Sequence, residues 1–433
     1  EENAFFEPNA LALGDLDLDG DPDVVVVTQY LLDGGLTGEL VVLWNETADG
    51  GAITLEMGPR TDPNEQNISK PRGLAITDFD EDGHPDIAVS NMFTDQIMVF
   101  PTTSLRDGLV AFFPFDDNTE DESGHENHGI PNGVAPIADR YGVPNSAYEL
   151  DGHEDFITVP YSDDLALTTS LTFAAWVHVD PTTDDSGYVM GRSKALSDTV
   201  FSMQLSAGVA QVTVGSPEQT VTVSDVSSFP DSQWTHVAGV FDGSRLFLYV
   251  DGLFSASQSV AGSLLSRDYP LVFGCQFEDA GSCLEARIDG FRVYDRALSA
   301  SEVFELKDRD GRIENETILL APSLLSTGDS EDAGPLGIVG ADLNGDGDID
   351  LATAHAGNRG VSVLLNTGGF SYTSAVTYAT GNTAANSYHN IEAVDIDGDG
   401  ALDLVLANSS DNTVSVLRNK GDGTFEAALA LDV

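Results

Sequence analysis

Four short apolar runs, VVVV, IAVS, LATA and LVLA, recur near the two ends of this chain, each directly after an aspartate: Asp23, Asp86, Asp350 and Asp403. Runs this short, bounded by turn residues, predict buried β-strands. Around them the pattern predicts units of four strands. The first unit reads as residues 10–14, 23–29, 39–45 and 52–56, the third as 337–341, 350–354, 361–366 and 370–378, and the fourth as 391–394, 403–407, 413–419 and 425–431. Turn residues, as at 366–369 and 419–423, punctuate them. The second unit is interrupted: 73–77, 86–91 and 96–100 supply three strands, and the fourth is expected at 312–320. Between them the pattern changes to long alternation, as in SLTFAAWVHV, WTHVAGVF, RLFLYVDG and ARIDGFRVYD, with more aromatics. That is enough alternating sequence for a β-sandwich with its own core. The expected organisation is blades one and two in residues 1–106, an inserted domain in 107–310, and the last strand of blade two with blades three and four in 311–433. A hairpin between neighbouring strands accepts such an insert because the chain leaves and returns at adjacent points.

A nine-residue acidic loop precedes each apolar run: DLDLDGDPD from Asp15, DFDEDGHPD from Asp78, DLNGDGDID from Asp342 and DIDGDGALD from Asp395. The first two loops start 63 residues apart, the last two 53, and the middle pair 264. Periods of this size belong to propellers and solenoids. Oxygen-bearing side chains occupy positions 1, 3, 5 and 9, glycine occupies position 6, and the carbonyl at position 7 can add a ligand. The candidate cation ligands are therefore Asp15, Asp17, Asp19, Asp21 and Asp23; Asp78, Asp80, Asp82, His84 and Asp86; Asp342, Asn344, Asp346, Asp348 and Asp350; and Asp395, Asp397, Asp399, Ala401 and Asp403. An all-oxygen set favours Ca²⁺. An EF-hand would need a glutamate at position 12 and flanking helices, whereas these loops run straight into strands. Asn344, a neutral ligand, makes its site the weaker one.

The phrases DLNGDGDIDLATA and NTVSVLRNKGDGTFEAAL resemble the FG-GAP/VCBS family, whose integrin-like blades carry calcium loops between their first two strands. LVAFFPFDDNTEDESG, AYELDGHEDFITVP, SLTFAAWVHVD, WTHVAGVFDGSRLFLYVDG and ARIDGFRVYDRALSASEV resemble, in order, the laminin-G-like, concanavalin A-like jelly roll. The resemblances imply an all-β protein: β-propeller blades, four FG-GAP/VCBS-type repeats, with an inserted concanavalin A-like (LamG) β-sandwich. Integrin-like propellers usually have seven blades, which leaves three expectations open. The ring closes with four, copies associate, or further blades lie outside this sequence; the strand-like NAFFEP at the start points to one of the last two. The second family implies glycan binding and one further calcium ion at Asp121 and Asp289, with Asn127 weaker. Asp116, Asp117, Glu120 and Glu122 crowd the same loop as Asp121. Trp176 and Trp234 are expected in the core, leaving Tyr161, Tyr188, Tyr269 and Phe277 as sugar-facing candidates.

Lys and Arg total 18 against 72 Asp and Glu, a net charge of −54. That imbalance repels nucleic acid and anionic membrane, and it suits a saline, calcium-rich exterior where screening is strong. The two cysteines, Cys275 and Cys283, flank a short turn, so a disulfide and an oxidising compartment are expected; zinc is not. The absence of a signal peptide or long apolar span reads as a mature or trimmed extracellular region. Asn45, Asn67, Asn315 and Asn408 begin N-x-S/T sequons. Nucleophile-elbow, P-loop, dinucleotide and zincin motifs do not occur. His125-Glu126-Asn127-His128 reads as a solvated loop, and His236 as a packed strand residue. The expected protein is a secreted or surface-displayed, calcium-dependent binding or adhesion protein, not an enzyme. Its expected partners are glycans or cell-surface and matrix proteins, or further copies of itself. The alternatives are a structural subunit of a filament, surface layer or matrix, and an accessory region of a polysaccharide-active enzyme.

Overall fold

Each apolar run that follows a loop aspartate is the second strand of a four-stranded antiparallel sheet. A computed structural model describes residues 7–32, 35–45, 53–60, 68–180, 186–195, 198–230, 232–276, 282–308, 317–328, 334–356, 360–380, 390–409 and 411–433. The first sheet comprises Glu7–Gly14, Asp23–Leu32, Gly35–Asn45 and Leu55–Arg60, in that order. The third comprises Pro335–Ala341, Asp350–His355, Gly360–Leu364 and Val376–Ala379, and the fourth Ile391–Val394, Asp403–Asn408, Thr413–Leu417 and Leu429–Asp432. Their last strands begin later than the sequence predicts, because Tyr372 and Phe425 make only single bridges, to Asn366 and Asn419.

The second sheet departs further from expectation. Its strands are Pro71–Thr77, Asp86–Asn91, Gln96–Phe100 and Ser323–Ser326, so the fourth strand is not 312–320. Thr317–Leu319 pairs instead with Thr102–Ser104 in a separate two-stranded ribbon, and residues 312–316 lie outside the described part. Pro101 and Pro322 carry no N–H, and the ladder breaks where both stand.

Two compact units result: Glu1–Ser104 with Thr317–Val433, and Leu105–Glu316. In the first, three apolar clusters join successive sheets. Leu16, Val25 and Trp44 meet Ile87, Met98 and Phe100. Phe79 and Val99 meet Ile338 and Leu351. Val361 and Val363 meet Leu404 and Leu417. Among the described residues the four sheets are open, and no strand pairing joins the first sheet to the last.

The second unit is a sandwich of a seven-stranded and an eight-stranded sheet. Leu171, Phe173, Ala175 and Val177 point into its core with Phe201, Val237, Phe241 and Phe291. Strand alternation then sends Thr172, Ala174, Trp176 and His178 to the opposite face. Trp176 and Trp234, expected in the core, are half-buried on that face, where Trp176 packs on His236 and Trp234 on His178. The strand's phase decides this, because Leu171 and Phe173 claim the inward positions. A helix at Ala300–Asp308 follows the last sandwich strand, with Val303 and Leu306 buried.

Candidate metal centres and polar clusters

All four acidic loops fold alike, and the reason is a repeated set of carboxylate-to-backbone hydrogen bonds. The aspartate at position 1 accepts the N–H of the position-6 glycine: Gly20 to Asp15 (3.1 Å), Gly83 to Asp78 (2.9 Å), Gly347 to Asp342 (3.1 Å) and Gly400 to Asp395 (3.0 Å). Those glycines have φ between 95° and 101°, which side chains disfavour. The position-5 carboxylate accepts the N–H of position 7, from Asp21, His84, Asp348 and Ala401, at 2.8–3.0 Å. Position 4 also turns left-handed, at Leu18 (φ 61°), Glu81 (62°), Gly345 (79°) and Gly398 (78°). Two loops thus hold a non-glycine in a conformation that costs about 1–2 kcal/mol.

Position 9 has a role of its own. Asp23, Asp86, Asp350 and Asp403 are fully buried. One oxygen of each accepts the N–H of loop position 2, from Leu16 (2.8 Å), Phe79 (2.9 Å), Leu343 (2.8 Å) and Ile396 (3.2 Å). The other accepts an N–H at or just past the end of the third strand, from Asn45 (2.9 Å), Thr102 (2.8 Å), Asn366 (2.7 Å) and Asn419 (2.8 Å). Each is a staple across its blade, whatever else it binds.

Three of the loops gather carboxylates closely enough to share an ion. Ligand atoms of Asp15, Asp17 and Asp19, of Asp78, Asp80 and Asp86, and of Asp395, Asp397 and Asp399 lie within 4.8 Å of one another. Burial, then the charges of Asp23, Asp19 and Asp15, pushes Asp17 up to about 6. Burial with Asp82 and Asp78 does the same to Asp80. Burial alone dominates at Asp86, pushed up to about 8 against the pull of its two N–H donors, and at Asp350, pushed up to about 6. Asp15 Oδ1 is buried without a hydrogen-bond partner. Hard oxygens in like-charged groups, one of them orphaned, fit a divalent cation of the calcium type.

The later loops differ. Asn344 donates to Asp346 (2.9 Å), closing part of its own set. Arg418 bonds Asp397 from Nε (2.8 Å) and Nη2, so one carboxylate of the fourth loop already has a cation.

Sequence reasoning missed the residues that tie one repeat to the next. Asn366 Nδ2 donates to Ile349 O in its own loop (3.2 Å) and to Phe79 O in the preceding repeat (2.8 Å). Asn419 does the same to Leu402 O (2.9 Å) and Leu343 O (2.7 Å). Their recurrence at the end of three of the four third strands, as in LWN, LLN and LRN, is the available signal.

In the sandwich, Asp121 and Asp289 belong to separate hydrogen-bond sets. Asp121 accepts the N–H groups of Phe112 (2.8 Å), Ser123 and Asn127 (2.9 Å each) and the Ser123 hydroxyl. Asn127 donates to Val110 O and accepts from Ser162. Asp289 pairs with Arg140 at 2.5 Å, beneath Trp176, and burial pushes it up to about 6. Among the neighbours of Asp121, burial and the charges of Asp116, Asp121 and Glu120 raise Glu122. His128 Nδ1 accepts the Asp121 N–H and His125 lies 3.3 Å from Asp164, so the two histidines have different partners. His236 is buried, and burial with Arg292 and Arg140 pushes it down to about 3.

Of the four loop aromatics, Tyr188 is buried and bonded to Gln276, and Phe277 lies outside the described residues. Tyr161 and Tyr269 come together around Arg192, which stacks on the Tyr161 ring at 5.4 Å and donates to Tyr269 O. Tyr269 in turn donates to Asp198. Cys275 and Cys283 form a disulfide. Asn408 is buried and bonded to Thr413 and Ser415, while Asn67 and Asn315 lie outside the described residues.

A model of the FG-GAP-like repeat matches residues 15–89, 342–406 and 395–431. A model of the concanavalin A-like lectin/glucanases superfamily, laminin-G type, matches residues 151–304. The chain carries FG-GAP-like repeats and a laminin-G-type domain. The FG-GAP matches span all four acidic loops, and the laminin-G match spans most of the sandwich. No curated protein matches the chain. Solved structures it is similar to include domain 4 of an extracellular arabinanase from Geobacillus stearothermophilus, in complex with arabinotriose. That similarity has 21% identity, covers 46% of this chain and 98% of that one, and has a TM-score of 0.39. The binding domain of Paraclostridial Mosquitocidal Protein 1 follows at 13% identity, 76% and 88% coverage, and a TM-score of 0.42. Among the described residues no helix is long and apolar enough to cross a membrane.

Proposed function

We propose that this chain is an extracellular calcium-dependent binding protein, with the FG-GAP-like repeats as scaffold and the laminin-G-type sandwich as recognition module. The observation that carries it is the repeated gathering of three carboxylates at the head of a blade. Asp15, Asp17 and Asp19 would hold one ion, Asp78, Asp80 and Asp86 a second, and Asp395, Asp397 and Asp399 another; Asp342, Asn344 and Asp346 form the weaker set. Bound there, calcium supplies positive charge to loops that otherwise hold like charges together. Its role is structural, and the chain binds rather than catalyses.

Glycan is the favoured ligand class. The support is the lectin/glucanase superfamily match together with Tyr161, exposed beside Arg192 and Tyr269. An aromatic face next to hydrogen-bonding groups is what a sugar ring needs. The disulfide supports an oxidising, secreted setting. A glycan array probed with the intact chain, first in calcium and then in chelator, tests this reading. Binding to a defined sugar class that Tyr161→Ala abolishes is the expected result. A folded chain that binds no glycan in either condition refutes the ligand class.

A further inference from the structure

We propose that a cleft on the outer face of the eight-stranded sheet binds an alkylammonium cation, the chemistry of a lysine side chain or a free diamine. The site stands apart from the calcium and glycan readings, since it uses neither the acidic loops nor Tyr161.

The cleft has a volume of about 340 Å³ and lies over two cross-strand rows. The core takes Leu150, Val177, Ala286 and Ile288, so strand alternation turns their neighbours outward. One row is Ala135, Glu149, Arg287 and His178, each opposite the next. The other sets Asp151 directly opposite Glu285. Asp155 and Asp180 line the same space from just beyond the strand ends. Five carboxylates therefore face one guanidinium.

That guanidinium is already engaged, because Arg287 lies 3.6 Å from Glu149 and 3.3 Å from Asp180. Among the described residues no Lys or Arg pairs with Asp151, Asp155 or Glu285. Like charges directly opposite each other weaken a ladder, and Asp151 and Glu285 are such a pair. Asp155 adds to the crowding. Burial, and then the charge of Asp151, raises it against the Asp151 N–H that it accepts at 3.1 Å.

His178 adds an independent observation. Its side chain is 9% exposed, it lines the cleft, and its ring packs on Trp234. Nδ1 is enclosed without a hydrogen bond, and Asp180 Oδ1, at 4.0 Å, is beyond hydrogen-bond reach. In the tautomer protonated at Nε2, that atom is an acceptor that an incoming N–H satisfies.

The spread of the charge separates an organic cation from a metal ion. In three of the acidic loops carboxylate oxygens converge within 4.8 Å, and among the described residues the cleft holds no such trio. Its acids are distributed over strands about 4.8 Å apart, around a volume suited to a small molecule. An ammonium on a carbon chain fits that arrangement, with its methylenes over Ala135 and Ala286.

Titration calorimetry on the intact chain reads this binding, with calcium in excess so that the acidic loops do not compete. 1,5-Diaminopentane should bind at a single site, and 1,5-pentanediol, of the same length without charge, should not bind. Asp151→Asn, Glu285→Gln and His178→Phe should each weaken the diamine about tenfold or more. Circular dichroism should be unchanged in the first two, whose side chains are exposed. Asp164→Asn removes the same charge elsewhere on the sandwich and should leave binding as it was. If acetyl-lysine amide binds more tightly than the diamine, the ligand is a protein side chain; the reverse order assigns a free amine. A chain that binds neither, a diol that binds as well as the diamine, or an equal loss in Asp164→Asn and Glu285→Gln would each overturn the proposal.

Discussion

The repeat unit and the sandwich each hold about half of the acidic side chains, yet they treat that charge differently. Only six of the 18 Lys and Arg (Arg60, Lys70, Arg72, Arg359, Arg418 and Lys420) belong to the repeat unit. In the sandwich, buried acids meet arginines: Asp289 meets Arg140 and Glu302 meets Arg296 at 2.6 Å. A single continuous core lies between the sheets. In the repeat unit the core is divided into three small clusters, and the loop carboxylates face one another. Among the described residues, Arg418 gives Asp397 a counter-charge from the chain itself. The sandwich carries counter-charges in its own sequence, whereas the repeat unit, on our proposal, takes them from solution.

The sharpest way to break this contrast is through the position-9 staples. Asp86→Ala leaves the buried N–H groups of Phe79 and Thr102 without acceptors, at about 1–3 kcal/mol each. The expected loss is therefore about 2–6 kcal/mol in chelator and larger in calcium, where a proposed ligand is lost as well, read by denaturant unfolding. A loss confined to calcium would make Asp86 a ligand only.

A smaller effect comes from pH. Asp86 is pushed up to about 8, and Asp17, Asp80 and Asp350 to about 6, from an ordinary 3.8. Between about pH 4 and 8 the folded, metal-free chain holds protons that the unfolded chain has released. Its stability must therefore fall as pH rises through that window. With saturating calcium the carboxylates are ionised when folded, and the slope reverses, because protons then compete with the ion. Melting curves across this range, with and without calcium, should cross. Parallel curves would mean that the loops do not exchange protons for metal.

The smallest change is local. Asn344→Asp removes the amide bond to Asp346 and adds a carboxylate to the third loop. We expect calcium affinity there to rise about tenfold, since charge count tunes such sites. Titration calorimetry that shows no stronger class of sites would contradict the ligand role of position 3.

Much of this was legible in the sequence because strand alternation, turn residues and acidic loops are local signals. DLDLDG and its copies located all four loops, and VVVV or LVLA located the second strands. What the sequence hid depends on partners distant along the chain. Position 9 looks like one more ligand until Asn45 or Asn366 is seen donating to it. The tie from Asn419 to Leu343 joins residues 76 positions apart, and the recurrent asparagine marks only one end of it. Trp176 and Trp234 lie on correctly predicted strands, but a strand has two faces and composition alone did not choose between them. The fourth strand of the second sheet was displaced because Pro101 and Pro322 interrupt a ladder that the insert had already separated in sequence.

The most direct test of the central claim is scanning calorimetry of the intact chain in calcium and then in excess chelator. The repeat unit should lose roughly 10 °C when the ion is removed, because saturated sites contribute several kcal/mol of linkage. The sandwich transition should stay in place. A thermogram that is the same in both conditions would show that the acidic loops hold no ion that matters to the fold.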